Sequence, residues 1–350
     1  MGELKLQKPG MLKPGSRVAV VSPSWGGPGT IPARYEMGVA ELRERFGLEV
    51  VEMPHTMADA GWLDKNPRAR AEDVNAAFAD SSIDGIITSI GGDDSVRILP
   101  YVDEDIIRAN PKLFMGYSDT TTLHVFAMLA GVQTFYGPSV MSGIAENGGM
   151  FPYAERWFRR VLMSAEPIGV AEPSEEWTEE FLDWNDRSLD NRKREMKPNT
   201  GRVWLGGNSR VEGRLIGGCL DVLEFLKGTK WWPEREWWDG AIFYWEMSEE
   251  APSPTLVKRW LRNYGSIGLY ERMAGMMVGR PRGYTDEQIR ELEQAILGVV
   301  GEEFGRPDMP VVTNMDFGHT EPQMIIPNGG RAVLDPGAAT VTFPDAAVTG

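Results

Sequence analysis

The sequence predicts an α/β protein of two domains, the first built on a parallel sheet covered on both faces. Three observations carry this expectation. Short β-branched or apolar segments alternate with helix-patterned ones through the first 150 residues, a polar stretch interrupts them near residue 165, and a second alternating region starts at Gly201. Strands that read as unbroken apolar runs between helices belong to buried parallel sheets rather than to one-sided antiparallel ones. A chain of 350 residues suits about two domains. The expected division is 1–165 for the first domain, 166–200 for a connecting segment and 201–350 for the second.

In order along the chain, RVAVVS at Arg17–Ser22 is a strand that ends in the loop Pro23-Ser24-Trp25-Gly26-Gly27-Pro28. Tyr35, Val39, Leu42 and Phe46 repeat at helical spacing and place a helix over 32–46. Strands follow at 48–53, 84–90, 112–117 and 132–136, with helices at 67–79 and 120–129 between them. Residues 165–198 are polar, acidic first and basic later, with Trp177, Phe181 and Trp184 embedded. So long a segment without periodicity is either a solvated linker or an ordered functional flap. Beyond it, LIGG at Leu215–Gly218 reads as a glycine-rich turn into a helix at 219–226. Strands at 240–246, 275–279 and 309–314 alternate with helices at 255–264 and 286–300. MIIPNGGRAVLD reads as a terminal hairpin turning at Asn328-Gly329-Gly330. The groove between two such domains is a common ligand site.

Composition removes several classes of function. One cysteine excludes a disulfide framework and any Cys-rich metal site. With 36 Lys and Arg against 51 Asp and Glu, the net charge of −15 argues against a nucleic-acid polymer as partner. No run of about 18 apolar residues exists, and the N-terminal MGELKLQKPGMLKPGSR lacks the apolar core of a signal peptide. A cytoplasmic location and no membrane partner are the expectation. Any imidazole chemistry falls to His55, His124 or His319.

GYSD at 116–119 delivers Ser118 from a strand into a sharp turn that opens a helix. This is the layout of a nucleophile elbow without the GxSxG pattern. Ser118 or Asp119 could equally be a helix cap. The turn Gly91-Gly92-Asp93-Asp94 emerges on the same sheet edge, where paired glycines let backbone amides approach a ligand, or where Asp93 simply caps a tight turn. A serine nucleophile needs a base, and the base needs a group that fixes its tautomer. His319 sits in the rigid loop NMDFGHTEP and is the first choice of base, with His55 second; His124 lies inside a helix and reads as packed. Glu246 closes the strand AIFYWE and suits the third place, with Asp316 and Glu321 as rivals. Two other classes stay open: a carboxylate-pair glycosidase using Asp93, Asp94 or Glu246, and a non-catalytic two-domain binding protein.

Taken together, GYSD, WE at Glu246 and DFGHTEP resemble the LD-carboxypeptidase family of serine peptidases, as do the opening VAVVSPSWGGP, IGGDDS and LIGG. The resemblance implies a flavodoxin-like N-terminal domain joined to a smaller C-terminal α/β domain, with the active site between them and usually a homodimer. It implies Ser118 as nucleophile, His319 as base and Glu246 as its orienting carboxylate. Amides of Asp119 and of Gly91 or Gly92 would form the oxyanion hole, and no metal or cofactor is called for. The family has one branch that trims D-alanine from murein tetrapeptides. A second, microcin-immunity branch cleaves the amide joining a peptide or amino acid to a modified nucleotide. The SWGGP loop and the aromatic insert are similar to the second branch, in which a loop aromatic stacks on the base. Trp184, Trp177 and Phe181 are the candidates, or else they anchor the loop. Cys219 stands where many members carry Asn, a departure because a thiol cannot reproduce amide hydrogen bonds.

Overall fold

Two sheets carry the fold in a computed structural model, which describes residues 6–350. Residues 1–5, which begin the expected first domain and the N-terminal stretch discussed above, lie outside the described residues. The first sheet runs in the order Glu49–Glu52, Arg17–Val21, Gly85–Thr88, Leu113–Gly116, Thr134–Tyr136, all parallel. That is the flavodoxin-like order, in which ligands sit outside the carboxyl ends of the strands. The second sheet has a parallel centre, Val211–Cys219, Ile242–Glu246, Gly275–Gly279 and Pro310–Met315, with antiparallel strands on both sides.

The first helix shows how sequence sets local structure. Pro32 occupies its first turn, where a missing N–H costs nothing, and Gly47 ends it at φ 69. Between them Tyr35, Val39, Leu42 and Phe46 are all buried against the sheet, as their spacing requires. Each such apolar side chain contributes roughly 1.5–3 kcal/mol by leaving water. The same packing continues between domains. Phe126, on the helix Thr121–Leu129, and Leu223, on the helix Leu220–Leu226, belong to one buried apolar cluster.

One expected turn is a strand, and another is a turn that closes no hairpin. LIGG is not a turn but the end of the strand Val211–Cys219. Its glycines answer to packing: a Cβ on Gly217 would stand 1.6 Å from the carbonyl oxygen of Tyr244 on the neighbouring strand. The Asn328-Gly329-Gly330 turn does not close a hairpin. Leu215 N–H donates to Gly330 O and Gly329 N–H to Leu215 O, so the turn docks on a third strand and passes the chain between sheets. Ile326–Asn328 therefore joins the edge of the first sheet, and Arg331–Asp335 joins the second. The terminal hairpin lies one strand later, between Arg331–Asp335 and Thr340–Phe343. The helix expected over 286–300 is α-helical for Asp286–Ile296 and continues as a π-turn through Glu303.

The polar insert is a fastened flap. Glu176–Trp177 and Lys197–Pro198 pair with each other, and Thr178 exchanges both backbone hydrogen bonds with Glu321. Among the described residues no helix is long and apolar enough to cross a membrane. Gly217→Ala is expected to destabilise by about 2 kcal/mol or more through backbone overpacking, lowering Tm by roughly 4 °C or more. Gly298→Ala, with open space around it, should leave Tm unchanged or raised; thermal unfolding of the two variants checks the contrast.

Candidate active site

The carboxyl ends of both parallel sheets meet at one cleft, and three of its side chains touch. His319 Nε2 lies 3.1 Å from Ser118 Oγ, and His319 Nδ1 lies 2.7 Å from Glu246 Oε2. Ser118 follows the strand Leu113–Gly116 and begins a short 3₁₀ turn at φ 61. A left-handed serine is a strained conformation, costing of order 1–3 kcal/mol, and it persists only where the surroundings hold it. Here its N–H donates to Tyr136 OH at 3.0 Å, and Tyr136 OH donates to Glu246 Oε1 at 2.6 Å. Serine amide, tyrosine, glutamate, imidazole and serine hydroxyl thus form one closed circuit. Sequence reading missed Tyr136; the available signal was a tyrosine ending the strand beside the serine's own.

Glu246 ends Ile242–Glu246 and is fully buried, so both of its oxygens need partners, which Tyr136 and His319 supply. The chain crowds it. A Cβ on Gly318, at φ 100, would stand 2.4 Å from Glu246 Oε2, which is why glycine precedes the histidine. Burial pulls the His319 imidazole down, but the Glu246 and Glu249 carboxylates outweigh it and raise it to about 10. Glu249, itself over half exposed, sits 3.0 Å from Nε2, and that hydrogen bond holds its carboxyl at about 2.

Asp119 caps no turn of its own. Its buried carboxylate accepts the N–H groups of Asp94 and Ser95 and the hydroxyl of Ser24, and so ties the Gly91-Gly92 loop beside Ser118. A Cβ on Gly91 would lie 3.2 Å from Ser118 Oγ and 3.5 Å from the Asp119 nitrogen. Gly91 O is turned away, accepting from Trp25 N–H. The amides of Gly91, Gly92 and Asp119 have no acceptor among the described residues. Asp94 is engaged by Arg70 and Arg97 rather than by a second carboxylate.

The other histidines lie elsewhere. His55 bonds Asp73 and stacks on Trp62; His124 is buried between Thr134 and the Gly116 carbonyl, and burial pushes it down to about 4. The rival carboxylates have other work. Asp316 receives Ser174, Asn199 and Arg280 and so anchors the insert; Glu321 is buried beside Gln323. Cys219 is fully buried beneath the cleft with its N–H on Thr121, and burial pushes its thiol well up.

A cleft of about 500 Å³ opens above Ser118, lined by Trp25, Gly91, Gly92, Phe181, Trp184, Glu249 and Arg282 among others. The Arg34 guanidinium lies 4.7 Å from the Trp184 ring centroid, and Phe181 is 59% exposed at the rim. Trp177 departs from the expectation. It lines no part of this cleft; Lys197 and Arg280 each sit 4.9 Å from its ring, so it is held by the cations that pin the insert.

Comparison with known proteins agrees with this architecture. Residues 18–137 match the LD-carboxypeptidase N-terminal domain and residues 212–334 the LD-carboxypeptidase C-terminal domain. The microcin C7 self-immunity protein MccF of Escherichia coli is 28% identical, with 88% of each chain covered. The crystal structure of an MccF-like protein from Streptococcus pneumoniae in complex with AMP is 31% identical. It superposes with a TM-score of 0.85, covering 95% of this chain and 99% of that one. MccF in complex with aspartyl sulfamoyl adenosine is 25% identical, with a TM-score of 0.84 over 98% of this chain and 100% of that one. A flavodoxin-ordered sheet, a second α/β domain and matches to both domains over most of the chain place the protein in the LD-carboxypeptidase family, in its MccF-like branch.

Proposed function

We propose that the protein is a serine hydrolase that cleaves the amide joining an aminoacyl or peptidyl group to a nucleotide. The observation that carries the reading is the unbroken hydrogen-bond line from Ser118 through His319 to Glu246, at 3.1 and 2.7 Å. A serine that only capped a helix would have no reason to meet a carboxylate-backed imidazole at catalytic distance.

In the proposed reaction neutral His319 takes the Ser118 hydroxyl proton at Nε2 while Ser118 Oγ attacks the amide carbonyl. Glu246 holds Nδ1–H, which fixes the tautomer and stabilises the imidazolium that forms. The carbonyl oxygen, becoming an oxyanion, is received by the amides of Asp119 and of Gly91 or Gly92. Their placement beside Oγ and their freedom from internal acceptors suit that role. The imidazolium then protonates the leaving nitrogen, and the acyl-serine is hydrolysed by water activated at the same nitrogen. None of these steps calls on a metal or cofactor.

Substrate class rests on the cleft and on the neighbours. Trp184, steadied by Arg34, offers an aromatic face at the mouth, with Phe181 beside it. The related structures hold AMP and aspartyl sulfamoyl adenosine. A base stacked on Trp184 is worth roughly 1–3 kcal/mol. A cytoplasmic homodimer acting on a small soluble substrate remains part of the proposal.

Ser118→Ala should reduce kcat by at least about a thousandfold while leaving the fold intact, and Glu246→Gln by about a thousand- to ten-thousandfold; wild-type turnover in Ser118→Ala would sink the triad. Trp184→Ala should raise KM for an aminoacyl nucleotide by roughly 5- to 150-fold, with Trp177→Ala acting on stability instead. Assaying aminoacyl sulfamoyl adenosines beside murein tetrapeptide separates the two branches. Release of D-alanine with no action on the nucleotide compounds would turn the assignment to LD-carboxypeptidase.

A further inference from the structure

His319 Nε2 has two partners with incompatible demands. Glu249 Oε2 at 3.0 Å is an acceptor and needs a proton on that nitrogen; Ser118, to be activated, needs its lone pair. With Glu246 on the opposite nitrogen, the imidazole lies between two carboxylates, an arrangement that favours the doubly protonated ring and disables it as a base. Glu249 follows the buried Glu246 by three residues, yet its side chain is 58% exposed in the cleft directly above Ser118. It is the negative charge nearest to where a substrate carbonyl must sit.

We propose that Glu249 selects substrates carrying a free ammonium group on the carbon next to the scissile carbonyl, and that this ammonium draws Glu249 off His319. The inference rests on the triad reading above and narrows its substrates from peptidyl and aminoacyl nucleotides to the aminoacyl ones, because a peptidyl group carries an acylated α-nitrogen. The distances favour it. A carbonyl poised for attack lies roughly 3–3.5 Å from Ser118 Oγ. Its α-nitrogen lies about 2.5 Å further along two bonds, within reach of a carboxylate already beside Nε2. Once Glu249 pairs with the ammonium, the Nε2 proton leaves to water and the lone pair turns to the Ser118 hydroxyl. An N-acylated substrate offers no cation and leaves the base blocked.

Other charged or titratable groups surround the imidazole, with Arg34, Glu146, Glu179, Glu180, Arg194 and Glu321 lining an adjoining cavity that His319 shares. Glu246 lies beneath it, Arg282 lines the cleft with Glu249, and Tyr117 is 5.1 Å away ring to ring. Behind Tyr117, Glu321 is pushed up to about 7 by burial, next to Arg194. Arg282 attracts Glu249 but leaves the contact with His319 in place. Protonated imidazole dominates below the raised value, so kcat/KM should climb with pH, and removing one carboxylate should move the climb to lower pH.

The test uses alanyl sulfamoyl adenosine and its N-acetyl derivative with wild type and Glu249→Gln, an exposed change compatible with folding. Wild type should prefer the free amine by about tenfold or more in kcat/KM, the scale of a charge-assisted hydrogen bond. Glu249→Gln should bring that ratio toward one and move the acid limb down by about one pH unit. In Ser118→Ala protein, imidazole NMR should show the His319 midpoint falling when Glu249→Gln is added. It should fall also when the free-amine compound binds, but not with its N-acetyl form. A ratio unaffected by Glu249→Gln, a His319 midpoint indifferent to it, or no binding by the free-amine compound would overturn the proposal. Turnover surviving in Ser118→Ala would instead refute the triad, leaving the NMR result to stand by itself.

Discussion

A buried carboxylate organises this site. Glu246 has no solvent exposure, and an ionised group in that position is tolerable only when both oxygens are engaged. Its partners come from different parts of the fold: Tyr136 from the first sheet, His319 from the loop after the last parallel strand of the second. Satisfying one carboxylate therefore fixes the two sheets against each other. Because Tyr136 also receives the Ser118 amide, the same constraint holds the strained serine in place. Position of the hydroxyl, tautomer of the imidazole and docking of the domains are consequences of a single desolvated charge.

Two more buried acids repeat the device around the cleft. Asp119 gathers Ser24 and the amides of Asp94 and Ser95, which draws the loops after the first and third strands together at Gly91. Asp316 gathers Ser174, Asn199 and Arg280, and so roots the insert that carries Trp184 next to the loop that carries His319. Asp316 has donors on both oxygens, whereas Asp119 accepts all three through Oδ2 and its buried Oδ1 has no partner among the described residues. The chain's buried acids are nearly offset by buried Arg34, Arg70, Lys112 and Arg280, so most of the net charge of −15 belongs to the solvent-facing residues.

How legible was this from sequence? Apolar runs punctuated by glycine or proline gave every parallel strand except Val211–Cys219 to within a residue or two, and the helix at Pro32–Phe46 to the residue, because burial on both faces leaves an unmistakable pattern. GYSD, WE and DFGHTEP found the three residues that meet in the cleft. The failures share a cause. LIGG was read through the turn chemistry of glycine, whereas Gly217 answers to a neighbouring strand that only tertiary packing reveals. At NGG the turn stands, with Gly329 at φ 86, and what sequence could not show is that the chain passes through it into another sheet. Trp177 and Trp184 are alike in sequence context, and only the cations placed by the rest of the fold separate them. Tyr136 could not stand out, since a tyrosine in an apolar strand is ordinarily core, and its hydroxyl is told apart only by what it touches.

The apolar packing also limits how such a site can be controlled. Phe126 and Leu223 share one buried cluster, and Tyr136 shares another with Tyr244 and Phe317, so the interface between domains is core rather than hinge. Opening it would expose that surface at roughly 25 cal/mol per Å², a large fraction of the stability of an ordinary protein. A side chain rotating in the cleft costs far less. Of the carboxylates touching His319, Glu246 is locked by burial while Glu249 is free to turn in solvent. On the proposed chemistry the fixed one makes the imidazole a strong base and the free one decides when the base is available. Two glutamates three residues apart can divide these tasks because the strand ends between them, leaving one inside the core and the other over the substrate.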